Sequence, residues 1–124
     1  MYKDETGKCD VEEFIKKAHH KIQKKFDFIL KMVKEQKDFL KEPYVKHFSV
    51  ERYKKLYELR LKATGMMIRI IYCEHDGDII LLHAFLKRDN RDTEQALGQS
   101  LKMMDKLGEH EAVTNEYLEE VLVK

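Results

Sequence analysis

Two turn dipeptides, Thr64-Gly65 and Asp76-Gly77, constrain the fold of this chain more than any other feature of its sequence. They separate runs of alternating residues that are rich in Leu, Ile and Tyr. Runs of this kind joined by short glycine-containing loops form antiparallel hairpins. We therefore predict that residues 56–88 form a meander of three antiparallel strands.

The segment before the meander has a helical period. Apolar residues recur at intervals of three and four between Val11 and Leu40, which is the spacing of one helix face. This stripe fits one long helix or two packed helices, and we favour two, with a break near His19-His20. Asp10 is predicted to cap the first helix, with Glu13 three positions later. Pro43 ends the pattern, because proline cannot continue a helix interior.

Helical spacing returns after the meander. Leu97, Leu101 and Met104 predict a helix over 94–107, which Gly108 can end. The predicted fold class is α+β, with two N-terminal helices packed on a small antiparallel sheet and a C-terminal helix. Residues 1–108 form one predicted domain, and the tail 109–124 is a candidate short helix.

Composition limits the function classes. A chain of 124 residues with a formal charge of +1 suits one domain, and it has no basic coat of the kind that binds nucleic acid nonspecifically. Cys9 and Cys73 form no metal-ligand or redox spacing, which argues against zinc and against a disulfide framework. The N-terminus has no signal pattern and no apolar run is long enough to span a membrane, so we expect a cytoplasmic protein with no membrane partner.

Counting outward from the turns assigns a face to each strand residue. If Thr64-Gly65 is a two-residue turn, Arg60 lies directly opposite Arg69. The Asp76-Gly77 turn fits a two-residue loop or a three-residue loop, and we predict the three-residue loop because it places the most apolar residues on one helix-packed face. The residues gathered there are Tyr57, Leu59, Leu61, Ile68, Ile70, Tyr72, Ile80, Leu82, Ala84 and Leu86.

The same register brings a basic cluster to the opposite face. It comprises Arg60, Arg69, His83 and Lys87, with Glu58 and Lys62 nearby. Like charges directly across a strand pair repel each other. Either a carboxylate such as Glu58 neutralises the pair, or the face binds an anion, most plausibly the phosphate of nucleic acid.

Several segments together resemble a known family. They are LYELR (56–60), GMMIRIIY (65–72), DGDIILLHAFLKR (76–88) and the opening positions Tyr2, Gly7, Val11, Glu13 and Phe14. In this order they resemble the HigB-like, phage-derived branch of the RelE/ParE toxin superfamily over about residues 2–107. The chain departs from the usual pattern at Asp10 and Thr93, where proline is common. The resemblance implies a RelE-like fold, with a short N-terminal strand added to the sheet.

The resemblance also implies a function. Its members are toxins of type II toxin–antitoxin systems that cut mRNA on the ribosome and are silenced by a small helix-turn-helix antitoxin. Ribosome-bound mRNA and such an antitoxin are thus the expected partners, with no cofactor and no metal, and a homodimer is left open. Arg60, Arg69 and Lys87 are implied as catalytic, with Glu58 or His83 sharing the acid–base work. The RNA contacts assigned to this face are Lys62, Phe85, Arg88 and Arg91.

Arg69 is expected to matter most. It lies in the middle of its strand, so we expect it nearest the scissile phosphate, exposed, and of little importance to stability. Lys87 can act as a base only if neighbouring cations or burial depress its pKa. Two other readings stay open: a ParE-like poison of a DNA topoisomerase, and a catalytically inactive module that binds antitoxin or nucleic acid.

Overall fold

The computed structural model describes residue 2 and residues 8–35, 45–48, 50–63, 65–75 and 78–107. The predictions for Pro43, Gly108 and the tail 109–124 fall outside these residues. Two N-terminal helices, a four-stranded antiparallel sheet and a C-terminal helix follow one another along the chain, which confirms the predicted α+β class. No helix in these described ranges is long and apolar enough to cross a membrane.

The N-terminal apolar stripe forms two helices, as predicted. Helix α1 spans Asp10–Lys17 and α2 spans His20–Glu35, with the break at the two residues between them. The predicted cap is wrong by one position. Cys9 is the N-cap of α1 and makes no side-chain cap bond, and Asp10 lies in the first turn. Its carboxylate is therefore free of capping and contacts another element, described below.

The sheet has the strand order β1-β2-β3-β4, and every pairing is antiparallel. Strand β1 covers Val45–His47, β2 covers Leu56–Ala63, β3 covers Met66–His75 and β4 covers Asp78–Leu86. Sequence analysis predicted no strand at the position of β1, because three residues are too few to show alternation. A 3-10 turn at Glu51–Tyr53 leads into β2.

The predicted N-terminal strand corresponds to a single bridge. The backbone N–H of Tyr2 donates to the carbonyl of Leu81 at 2.7 Å, on the outer side of β4. Residues 3–7 fall in a gap of the described ranges.

The β2–β3 register matches the prediction, with Arg60 opposite Arg69 and Ala63 opposite Met66. The β3–β4 register corrects it. His75 pairs with Asp78, so two residues and not three separate these strands. Ile71 pairs with His83 while Tyr72 pairs with Leu81, which leaves Leu82 as the extra residue of a β-bulge.

The bulge explains which face assignments were right. Because the turn is one residue shorter than predicted, residues in the first half of β4 face the side opposite to the one we predicted. The bulge at Leu82 adds one residue, so residues in the second half face the side that we predicted. Ala84 packs with α1 and α2 as predicted, whereas Ile80 and Leu82 pack on the α3 side. The error arose because we assumed one apolar face, and the structure has two.

Each face of the sheet carries its own core. Helices α1 and α2 cover one face, where Tyr72 is buried as predicted. Helix α3, which spans Asn90–Asp105, covers part of the other face over β3 and β4. Its core includes Leu56, Ile71, Cys73, Phe85, Leu97 and Met103. Helix α3 therefore covers part of the face that we predicted to carry the basic cluster.

Helix α3 begins four residues before its predicted start. Asp89 is the N-cap, and its carboxylate accepts the backbone N–H groups of Arg91 and Asp92. The side chain of Asp92 accepts the backbone N–H of Asp89, which completes a capping box. The first turn buries no apolar residue, so periodicity alone could not locate it.

Candidate functional site

The centre of the candidate site is a pair of arginines that share one carboxylate. Arg60 on β2 and Arg69 on β3 are directly opposite in the register. Nε of Arg60 donates to Oε1 of Glu58 at 3.2 Å, and Nε of Arg69 lies 3.6 Å from the same oxygen. Glu58 thus offsets the repulsion between the two guanidinium groups, one of the two outcomes that sequence analysis left open.

The three side chains differ sharply in exposure. Glu58 is almost fully buried, with 1% of its side chain exposed, while 11% of Arg69 and 32% of Arg60 are exposed. The expectation that Arg69 is exposed is therefore wrong. Burial lowers the pKa of the Arg69 guanidinium, an effect that Glu58 opposes and Arg60 reinforces. Arg60 is the member of the pair that an approaching anion meets.

Two buried polar atoms in this cluster lack a hydrogen bond. Oε2 of Glu58 and Nε of Arg69 are both enclosed without a partner in hydrogen-bond geometry. The other nitrogens of Arg69 are held, since Nη1 donates to the carbonyl of Ile68 at 3.2 Å and Nη2 to the sulfur of Met67 at 3.7 Å. Buried polar groups are seldom left unpaired in proteins, and such exceptions concentrate at functional sites.

Lys87 and Lys62 occupy the next row toward the end of the sheet. Lys62 pairs with Met67, and the backbone N–H of Lys87 donates to the carbonyl of Met67 at 2.8 Å. Strand alternation then places Lys87 on the same face as Arg69 and Phe85, as predicted. Met67 is 39% exposed, so this row lies beyond the part of the face that α3 covers.

The other predicted RNA contacts are arranged differently from the expectation. Phe85 is 9% exposed and packs in the core beneath α3, so its ring cannot serve as an open stacking surface. Arg88 and Arg91 are exposed at the start of α3. Each contacts a capping carboxylate, with Arg88 Nε 3.6 Å from Asp92 and Arg91 Nη2 3.4 Å from Asp89.

His83 contacts a residue that sequence analysis did not connect to it. Its Nδ1 lies 3.4 Å from Oδ2 of Asp10, at the start of α1. This is an ion-pair distance without hydrogen-bond geometry, since Nδ1 has no hydrogen-bond partner. The His83 ring also stacks with that of Phe85 at a centroid distance of 6.2 Å. No local pattern links Asp10 to His83, because only the packing of α1 on β4 brings them together.

The cysteines are both free and buried, as their spacing predicted. Burial raises the pKa of the Cys73 thiol to about 11, and it also raises that of Cys9. Neither thiol is therefore a ready nucleophile. Among the described residues, no group of three or more His, Cys, Asp or Glu side chains is arranged to hold a metal ion.

The fold and this cluster define a small α+β protein with a cationic sheet face suited to a phosphate-bearing ligand. A comparison with protein families identifies the family of the chain. The family model described as Phage derived protein Gp49-like (DUF891) matches residues 13–105, so the chain belongs to the phage-derived Gp49-like family. This family is toxin-like and is found in toxin–antitoxin systems. No curated protein and no solved structure matched the chain.

Proposed function

We propose that this protein is the toxin of a type II toxin–antitoxin system, of the HigB-like kind, and that it cleaves ribosome-bound mRNA. Family membership supports a toxin-like role. The observation that carries the nuclease proposal is the facing pair of Arg60 and Arg69 with Glu58 buried between them. Glu58 offsets the repulsion within this pair, and the 32% exposure of the Arg60 side chain leaves one guanidinium group open to an approaching phosphate.

The proposed reaction is attack by the 2′-hydroxyl of RNA on the adjacent phosphorus. The bond to the 5′-oxygen breaks, a base takes the hydroxyl proton, and an acid returns a proton to the leaving oxygen. The products are a 2′,3′-cyclic phosphate and a 5′-hydroxyl. Negative charge builds on the phosphorane, so fixed positive charge beside it lowers the barrier.

Arg60 is assigned to the phosphorane because its guanidinium is the more exposed of the pair. Arg69 supports it from the neighbouring strand, since its Nη1 and Nη2 are engaged by the carbonyl of Ile68 and by the sulfur of Met67. Lys87 is assigned as the proton-transfer group at the open end of the face. Sequence analysis expected Arg69 to lie nearest the phosphate. We assign that role to Arg60 instead, because Arg69 is buried.

The direct test is cleavage of an mRNA bound to programmed ribosomes by the purified protein, with the same RNA alone as control. We expect cuts only with ribosomes, bearing cyclic phosphate and 5′-hydroxyl ends, and we expect expression in cells to arrest growth until an antitoxin is co-expressed. Unimpaired growth with intact transcripts would contradict the active-toxin proposal and favour an inactive binding module. Arrest with intact transcripts and inhibited DNA supercoiling would favour the topoisomerase poison.

A further inference from the structure

A groove lies along β4 between α1 and α3, beside the arginine cluster. It has a volume of about 630 Å³, within the range of small-molecule sites. Its walls include Phe14 of α1, His83 of β4, and Gln95 and Gln99 of α3. The side chains of Gln95 and Gln99 are exposed and lie one helical turn apart, so both amides sit on one wall.

The chemistry of this groove is that of a base-recognition site. A glutamine amide offers two donors and an acceptor, which match the hydrogen-bonding edges of nucleobases. Phe14 supplies an aromatic ring, the kind of surface on which RNA bases stack. Arg88 at the same groove adds a cation for phosphate.

His83 is the polar group of the strand wall. Oδ2 of Asp10 lies 3.4 Å from its Nδ1, which leaves Nε2 as the ring nitrogen that a ligand can engage. Phe85 stacks on the ring from the core side. The imidazole is thus held between a carboxylate and an aromatic ring.

A second hollow of about 290 Å³ continues the groove. Gln99 lines both hollows, and the second one contains Lys102 and Lys106, four residues apart near the end of α3. Asp10 lines it too. The path along β4 therefore runs from Arg88 through a polar middle to two lysines, a sequence of charges that follows a polynucleotide better than a peptide.

We infer that this groove is a nucleotide-binding subsite, in which Gln95, Gln99 and His83 recognise the base and ribose of a nucleotide that neighbours the scissile phosphate. The groove adjoins the cluster at the start of α3, because Arg88 lines the groove and directly follows Lys87, which lies on the face of the cluster. Asp10 is a positioning residue that acts through His83. The inference rests on the proposed RNA substrate.

The test is titration of the isotope-labelled protein with each nucleoside 5′-monophosphate, followed by NMR. Ribose 5-phosphate serves as the probe that lacks a base. We expect the amide signals of Gln95 and Gln99 to shift with the mononucleotides, with different affinities for the four bases, and to shift much less with ribose 5-phosphate, which can engage only the ribose and phosphate contacts. Equal shifts with ribose 5-phosphate would overturn base recognition and leave an anion site only.

Variants sharpen the result. Gln99→Ala should lower mononucleotide affinity by about threefold to tenfold, the value of one hydrogen bond to a base. Asn90→Ala is the matched control, since this exposed amide lies on α3 outside both hollows. Asp10→Asn should weaken binding as His83→Ala does, and Asp10→Glu should restore it; melts of each variant separate this from unfolding.

Failure of this inference is distinguishable from failure of the proposed function. If ribosome-bound mRNA is cleaved but Gln95→Ala and Gln99→Ala leave both mononucleotide affinity and cleavage preference unchanged, the groove is not a subsite. If mononucleotides bind in the groove but no RNA is cleaved, the subsite stands and the nuclease proposal fails.

Discussion

Arg60 and Arg69 face each other on neighbouring strands, and one oxygen of buried Glu58 lies 3.2 Å from Nε of Arg60 and 3.6 Å from Nε of Arg69. Because Arg60 is the exposed member and Arg69 the buried one, the two arginines should respond differently to mutation. Both should affect folding, because both contact buried Glu58, and exposed Arg60 should in addition control chemistry.

Arg60→Ala should lower the single-turnover rate of mRNA cleavage about 100-fold or more, since one preorganised donor at a developing charge has that effect. The melting temperature should fall as well, because Arg60 makes the 3.2 Å hydrogen bond to buried Glu58, so cleavage is measured well below the melting temperature of the variant. Single-turnover kinetics beside thermal melts measure both quantities. A variant that cleaves at the wild-type rate would remove Arg60 from the proposed site.

Arg69→Ala should destabilise the protein by about 3 kcal/mol, because it leaves Glu58 buried with one of its two cationic partners missing. Urea unfolding measures this loss. The double variant Arg69→Met with Glu58→Gln should recover much of it, since both buried charges are then gone. A stable Arg69→Ala protein would show that the buried pair contributes little to folding.

Glu58→Gln should tighten RNA binding and weaken the fold. The substitution keeps the shape of the side chain but removes the negative charge that the two arginines share, so anions are attracted more strongly. The loss of stability should be about 1–3 kcal/mol, the usual range for hydrogen bonds to charged groups. Filter binding of RNA at low and high salt, with urea unfolding, tests both effects, and unchanged affinity would contradict this account of Glu58.

Lys87→Ala and Lys62→Ala should separate chemistry from binding. Loss of Lys87 should impair cleavage even at saturating RNA, because we assign it to proton transfer. Loss of exposed Lys62, at the strand end, should weaken binding and reduce the salt dependence of affinity by about one phosphate contact. Cleavage at saturation and affinity across a salt series distinguish the two, and identical behaviour would make Lys87 a binding residue only.

Asp92→Asn should lower stability at neutral pH and have less effect in acid. The pKa of Asp92 is lowered because its carboxylate accepts backbone N–H groups of Arg88 and Asp89. Its stabilisation is therefore present above the unfolded-state pKa, near about 4, and is lost as pH falls through the lower folded value. Urea unfolding from neutral to acidic pH should show the curves of the two proteins converging, and parallel curves would contradict this.

Much of the site's outline was predictable from local pattern. The Thr64-Gly65 turn sets the β2–β3 register by counting, so the opposition of Arg60 and Arg69 required no tertiary information. The period change from helix to strand located α1, α2 and the meander in the same way. These features depend on the spacing of residues along the chain, which can be read from the sequence without knowledge of the fold.

Other features depended on which surfaces pack together. The extra residue near β4 fits the turn or a bulge at Leu82 equally well by pattern, and the choice depends on whether the second sheet face also needs apolar residues. The second face does need apolar residues, because α3 packs on it. The packing of α3 also buries Phe85, and the packing of α1 on β4 brings Asp10 to His83.

The sequence by itself determined the order of the three long strands and the facing arginines, since these follow from turn residues and short-range periodicity. Its motifs also indicated a phage-derived, toxin-like family by resemblance. Only the tertiary structure decided that Arg69 is buried, that Glu58 holds it, and that Asp10 meets His83. Burial and long-range contact arise from the sum of packing over two faces of the sheet, and no local stretch of residues encodes that sum.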